Sequence, residues 1–397
     1  MPNPESFQPV AERTHLDDAL AAELEALRQR TLHRRLRSVT GRQAARMTVD
    51  GRECLMLAGS NYLDLAADAR VVTAAQAAAE QYGAAAAGSR LINGNLDLHE
   101  ALERELAAFV GHEAALVFST GYMANLGVLT ALCGAEDVIV SDSLNHASIV
   151  DACRLSRAET RVFRHNDPAD FARVAAGLAG FRRRVLVVDG VYSMDGDVAR
   201  LAELAPIARA HDMVVVLDDA HGIGVLGAHG RGVAELAGVS VDALIGNLGK
   251  SLGSFGAFVA GSAVFREYLV NVARSFIFTC ALAPPALGAA RAALAAAQAE
   301  PERRKLLLER AEQLRAGLES LGWDTLGSTT QIVPALVGEN SAALRVTDDL
   351  LARGIYAQGI RHPSVPHGTA RIRLTPTCAH SADDVAHVLA AFAELDP

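Results

Sequence analysis

Apolar residues fall in short unbroken runs along much of the chain. They are Ala115–Ser119 (ALVFS), Val138–Asp142 (VIVSD), Val185–Gly190 (VLVVDG), Val214–Asp219 (VVVLDD), Ala243–Asn247 (ALIGN) and Gly256–Gly261 (GAFVAG). Runs of this length without polar alternation predict strands buried on both faces. Segments of helical length separate most of them, as in DLHEALERELAAFVG (97–111) and LAELAPIARAHD (201–212). Strands alternating with helices predict an α/β fold built on a mainly parallel sheet. Residues 16–38 have helix-forming composition, with acids early and HRRLR (33–37) late, which suits the helix dipole. Beyond Pro284–Pro285 come long helices, including ERRKLLLERAEQLRAGLESLG (302–322), then strands IVPALVG and ARIRLTPT and a final helix from about Ser381. The pattern predicts an N-terminal helical arm (1–48), a large α/β domain (49–285) and a small C-terminal α/β domain (286–397).

Composition narrows the classes. Of 397 residues, 50% are hydrophobic and 21% charged, which is globular. The net charge of −9 argues against nucleic acid or an anionic membrane as partner. The alanine-rich stretch 284–300 carries Arg291 and predicts a packed helix, not a membrane span. The N-terminal MPNPESFQPVAERTHLDD lacks the basic-then-apolar pattern of a signal peptide. Five scattered cysteines, without a C-x-x-C pair, give no zinc or disulfide framework and point to a reducing cytoplasm.

In a parallel sheet, ligands gather beyond the carboxyl ends of the strands. Three predicted strands end in acids: Asp142 before SLNHAS, Asp189 before GVYSMDGD and Asp218 before DAHG. Turn-forming and helix-capping account for any one of these; together, with a histidine in two, they suggest a site. Asp218, Asp219 and His221 taken alone fit a metal site, a hydrolase triad or a cofactor clamp. The GKS of GNLGKSLGSFGAF (246–258) is not a P-loop, because Leu244 stands where that motif needs glycine. What remains is Lys250 among small residues directly after an apolar strand. A buried lysine of lowered pKa forms a Schiff base with a carbonyl. If that carbonyl belongs to pyridoxal phosphate, Asp218 has a purpose, since a carboxylate keeps the pyridine nitrogen protonated and only the pyridinium drains electrons. The start of STGYMAN (119–125) would offer backbone amides to the phosphate.

Seven segments, in order, carry a resemblance to the α-oxoamine synthases, pyridoxal phosphate enzymes of fold type I, the aspartate-aminotransferase-like fold. They are GNLDLHEALE, STGYMANLG, SDSLNHASI, DGVYSMDGD, VLDDAHGIGVLGAHGRG, GNLGKSLG and RIRLTPTCAH. The resemblance implies an acyltransferase that condenses an amino acid with an acyl thioester and releases carbon dioxide and thiol. It makes Lys250 the Schiff-base lysine and acid/base, Asp218 the pyridinium partner, and His221 and Ser193 the partners of the phenolic oxygen. His146 becomes the imidazole stacked on the ring. Gly121, Tyr122 and Met123 would hold phosphate through their amides. Asn247 stands where the family usually has threonine. Thr279 would reach the phosphate of a neighbouring subunit, implying a homodimer with its active site at the interface. Arg373 would grip the amino-acid carboxylate, and Arg361 and Ser60 are expected near substrate. Ser60–Asp64 (SNYLD) departs from the family's Asn-Asn/Asp-Tyr-Leu-Gly, losing an asparagine and gaining a carboxylate. The segment 359–375 resembles one subgroup of the family, which implies L-alanine with a pimeloyl thioester on CoA or a carrier protein; glycine with acetyl-CoA, or glycine or alanine with a different acyl-CoA, is the alternative. No metal is expected. Asp219 reads as a supporting or helix-capping carboxyl, His165 as structural, and Arg34, Arg35 and Arg37 as a solvated helix end or a contact for CoA phosphates or the distal carboxylate of the acyl group.

Overall fold

The structure, a computed structural model, describes residues 14–395. Its centre is a seven-stranded sheet made of β1 (Ala114–Phe118), β2 (Val138–Asp142), β3 (Glu159–Phe163), β4 (Arg184–Asp189), β5 (Met213–Asp218), β6 (Ala243–Asn247) and β7 (Ala257–Gly261), ordered β1-β7-β6-β5-β4-β2-β3. Only β7 runs antiparallel to its neighbours. Helices cover both faces, so Val187, Val216 and Ile245 are completely buried, each worth about 1.5–3 kcal/mol of burial free energy. The six apolar runs match six of these strands. The edge strand β3 (ETRVF) escaped prediction because four of its five residues are at least partly exposed, which erases the apolar run.

The N-terminal helix stops at Gln29, not at residue 38. Thr31 takes a positive φ of 57°, which ends the helix and leaves HRRLR as an irregular segment. The rest of the expected arm, residues 1–13, lies outside the described residues. Arg46–Val49 and Arg52–Met56 pair with each other, and Ile355–Tyr356 joins the second of them. Leu55 and Leu57 pack with Trp323, Ile372 and Phe392 in the C-terminal core. Residues 49–57, expected in the large domain, therefore pack with the small one. The reverse holds for Pro284–Ala299, where Leu287, Ala290 and Leu294 belong to the large core. By packing, the change from the large core to the small one falls between Leu307 and Ala311, beyond the expected 285. Among the described residues, no helix is long and apolar enough to cross a membrane.

Candidate active site

Because β1, β2, β4, β5 and β6 run in one direction, their carboxyl ends gather at one edge, as the strand-end acids suggested. There a cavity of about 260 Å³ is lined by Gly121, Tyr122, His146, Ser193, Asp218, His221, Asn247 and Lys250, together with Thr120, Asn125, Ser148 and Asp189. Eight of the residues singled out from sequence thus share one cavity.

Lys250 lies in the turn between β6 and β7. Burial pushes its ammonium down to about 8, with Asp218 and Asp189 opposing the shift. Asp218, the last residue of β5, accepts from the Asn125 side-chain amide at 2.6 Å and from the Ala220 N–H at 3.0 Å. His221 is buried and held well below the ordinary imidazole range by desolvation and by Lys250. Its Nδ1 meets the Tyr62 hydroxyl at 2.7 Å. His146 caps the helix Ala147–Ser156, and its backbone N–H donates to Asp189 at 2.8 Å. The protein around its ring, with Lys250 nearby, lowers its pKa. Asp189 faces Asp218 across the β4–β5 register. Burial and that neighbouring carboxylate raise its pKa well above the ordinary range.

The helix Gly121–Leu132 points its N-terminus into the cavity. Thr120 caps it by accepting from the Met123 N–H at 3.1 Å. That amide is already engaged and Met123 does not line the cavity, which corrects its expected part in a phosphate cradle; Gly121 and Tyr122 do line it. The Asn247 amide nitrogen lies 3.2 Å from where a Cβ on Gly121 would sit, and its Oδ1 accepts from the Gly249 N–H at 2.7 Å. An amide donor therefore stands beside the helix start, where threonine is usual. A desolvated amine, a carboxylate held by hydrogen bonds and a helix N-terminus around this volume fit pyridoxal phosphate.

Other expected residues lie outside this cavity. Ser60 lines a neighbouring cavity that shares Lys250. Asp64, the added carboxylate, lines neither; it takes φ +51°, a region Asp tolerates better than most residues, and burial raises its pKa against the opposing charge of Arg303. Arg373 donates to the Ser193 carbonyl at 3.2 Å, while its buried Nε has no partner. Arg371, two residues along the same strand, pairs with Asp195 at 2.6 Å and is 2% exposed. Arg361 donates to the Thr31 and His33 carbonyls and borders a second cavity, of about 610 Å³, with Arg34, Arg35 and Arg37. Thr279 is half-buried and away from its own chain's cavity.

Asp219 serves the scaffold. Its Oδ2 accepts from the Val233 N–H at 2.6 Å at a helix start, and glycines surround it; a Cβ on Gly232 would fall 1.8 Å from that oxygen. With Asp219 turned away and His221 held by Tyr62, the three residues of DDAH do not converge. Among the described residues no three such groups could hold a metal ion.

His165 pins the turn that carries Ser193. Its Nδ1 meets Asp142 at 2.9 Å and its Nε2 meets Asp197 at 3.0 Å, and these pairings lift its pKa to about 10 against the opposing burial. The folded pKa lies above the unfolded value, so this stabilisation is complete below about 6.5 and is lost as pH rises through 10. His165→Gln is expected to melt several degrees below the parent at pH 6, with the gap closing near pH 10.5; calorimetry across that range checks it. A gap independent of pH would show that His165 is not cationic.

The chain belongs to the class I and II aminotransferase family, whose sequence profile matches residues 52–392. Within it, the chain is 48% identical over 381 residues to an 8-amino-7-oxononanoate synthase of Geobacter sulfurreducens, covering 95% of this chain and 97% of that protein. It is 43% identical to 8-amino-7-oxononanoate synthase 2 of Bacillus subtilis, covering 95% and 97%. Among solved structures, Sphingomonas wittichii serine palmitoyltransferase superposes with a TM-score of 0.90 at 33% identity, covering 96% of this chain and 98% of that one. The 8-amino-7-oxononanoate synthase of Francisella tularensis gives 0.73 at 27%, covering 85% and 96%. These neighbours bear out the resemblance and the fold type expected from sequence.

Sequence reasoning missed Asn125, Ser148 and Tyr62, and left Asp189 as a strand-end acid. The first three are neutral polar residues that act by hydrogen bonding. The available signals were an asparagine inside a helix, where its propensity is poor, and a His-x-Ser spacing that suits a helix cap.

Proposed function

We propose that this enzyme uses pyridoxal 5′-phosphate to condense L-alanine with a pimeloyl thioester, giving 8-amino-7-oxononanoate for biotin biosynthesis. The convergence of Lys250, Asp218, His221 and His146 on one cavity carries this reading, and the near-full-length relatives of that name support it. When bound, pyridoxal phosphate supplies an electron sink for the amino acid's α-carbon. Lys250 anchors its aldehyde and moves the α-proton. Asp218 holds a proton on the ring nitrogen, His221 and Ser193 address the phenolic oxygen, and Gly121, Tyr122 and Asn247 hold the phosphate. Arg373 grips the alanine carboxylate with the nitrogens its Ser193 contact leaves free. His146 donates to the thioester oxygen as charge builds there. Overall one C–C bond forms, the thiol and carbon dioxide leave, and one proton returns to the α-carbon.

A dimer completes the site in this reading. Leu91, Ile92 and Phe278 are 51%, 83% and 70% exposed. Their segments adjoin each other through the Ala281–Gly88 hydrogen bond and reach the phosphate end through Ser119 and Cys280. Such apolar exposure calls for a partner, and a second copy would also bring Thr279 to the phosphate. The arginine-lined cavity at Arg361 suits the anionic end of the acyl donor, whether CoA or carrier protein. A cytoplasmic location fits the scattered, unpaired cysteines.

Thiol release across a matrix of amino acids and acyl-CoAs tests the substrate: alanine with pimeloyl-CoA should give the highest kcat/KM. If glycine with acetyl-CoA is faster, the acyl specificity is wrong and the glycine-using alternative holds. The lowered amine gives a second expected result. Apoprotein should take up pyridoxal phosphate at a rate that climbs with pH to a midpoint near 8, followed by absorbance, because the neutral amine is the nucleophile. A midpoint near that of an ordinary lysine would mean that Lys250 is solvated.

A further inference from the structure

Asn125 and Ser148 stand between two groups of the site. The Asn125 amide nitrogen donates to Asp218 Oδ2 at 2.6 Å and to Ser148 Oγ at 2.9 Å, so both of its hydrogens are committed. The opposite amide orientation would set its oxygen against the Asp218 carboxylate, so the acid fixes which way Asn125 faces. Ser148 Oγ, having accepted from Asn125, lies 2.7 Å from His146 Nδ1 with its own hydrogen free to donate. The Ser148 backbone N–H also points at Nδ1, at 3.2 Å, and a backbone N–H can only donate. Two donors therefore converge on Nδ1, which must keep its lone pair. The remaining ring nitrogen, Nε2, carries the hydrogen.

We infer that Asn125 and Ser148 are positioning residues that hold His146 as the neutral Nε2–H tautomer, so that it serves the reaction as a hydrogen-bond donor and not as a base. This rests on the proposed placement of His146 beside the cofactor and the thioester. The orienting signal starts at Asp218: the carboxylate orients Asn125, Asn125 orients the Ser148 hydroxyl, and that hydroxyl fixes the tautomer. One acidic side chain thus sets both the ring-nitrogen partner and the donor that faces the acyl group. The Asp189 bond to the His146 backbone keeps the imidazole's base in place while this happens. Asn125 and Ser148 are each 1% exposed, so water has little access to replace either link.

Nitrogen-15 NMR of histidine-labelled apoprotein, with the His146 signal identified by its loss in His146→Gln, tests this without cofactor or substrate. At neutral pH the parent should show an unprotonated, hydrogen-bonded Nδ1 and a protonated Nε2. In Ser148→Ala the Nδ1 resonance should move as its hydroxyl donor disappears. In the holoenzyme, kcat should fall roughly tenfold to a hundredfold with KM for the amino acid little changed, and Ser148→Thr should restore most of it. A protonated Nδ1 in the parent overturns the inference without any variant. Unchanged nitrogen resonances in Ser148→Ala overturn it whatever happens to kcat. A wrong acyl substrate would disturb only the kinetic arm, so the two failures are distinguishable.

Discussion

Lys250→Ala should lower turnover on the order of 10⁴-fold or more and abolish covalent capture of pyridoxal phosphate. Enzymes that lose a central nucleophile or acid/base suffer losses of that order. The argument starts from desolvation. Asp218, Asp189 and Asp219 around the Lys250 amine would hold it protonated, yet burial, helped by Arg373, outweighs them and leaves the amine near 8. At working pH a large fraction is therefore neutral and nucleophilic, and the same amine can both take and return a proton. Alanine removes both capacities and leaves the backbone turn between β6 and β7 free to form, so the fold should survive. Three measurements check it: kcat at saturating substrates, the circular dichroism of the variant, and peptide mapping after borohydride treatment. The parent should carry its pyridoxyl label on Lys250, and the variant should carry none. Turnover within tenfold of the parent in a correctly folded Lys250→Ala would remove the mechanism's central residue.

Much of this site was legible because its charged members sit where strands end. Asp218, Asp189 and Lys250 follow runs whose continuous apolar character can only mean burial on both faces, and that burial is what makes a charged residue at their ends informative. Local pattern could not reveal which core an element joins. Leu55 and Leu57 look like large-domain residues until Ile355–Tyr356 arrives some three hundred positions later to pair with their strand. Pro284–Ala299 is alanine-rich on every side, so its sequence contains no preference for one core over the other. Met123 failed for a different reason: a single hydroxyl, Thr120, took the amide that the phosphate would have used. The neutral links, Asn125 and Ser148, act only through orientation, and orientation depends on partners that the linear sequence separates by 93 and 23 positions from Asn125.

The adjacent acids Asp218 and Asp219 should respond to the same change in opposite ways. Asp218→Asn should cost about 10³-fold or more in kcat, comparable to other substitutions that leave geometry intact but remove the charge that fixes a partner's protonation. The amide has similar shape and can still accept from Ala220, but it cannot hold a proton on a ring nitrogen. It also confronts the Asn125 nitrogen with a group that is half donor, so the orientation of Ser148 and His146 should loosen at the same time. Asp219→Asn should stay within a few-fold of the parent rate, since an amide oxygen can still cap the helix at Val233. Burial holds Asp219 near 7, above its unfolded value, so its contribution to stability is present at low pH and is lost as pH rises through 7. Replacing it with asparagine should therefore help most above pH 7, where the parent must keep a carboxylate in a fully buried position with Oδ1 unpartnered. Rates for both variants with alanine, and melting temperatures at pH 6 and pH 8.5, separate the two roles. Equal rate losses in the two would mean that the carboxylates act as a pair, and the assignment of the ring partner to Asp218 alone would fall.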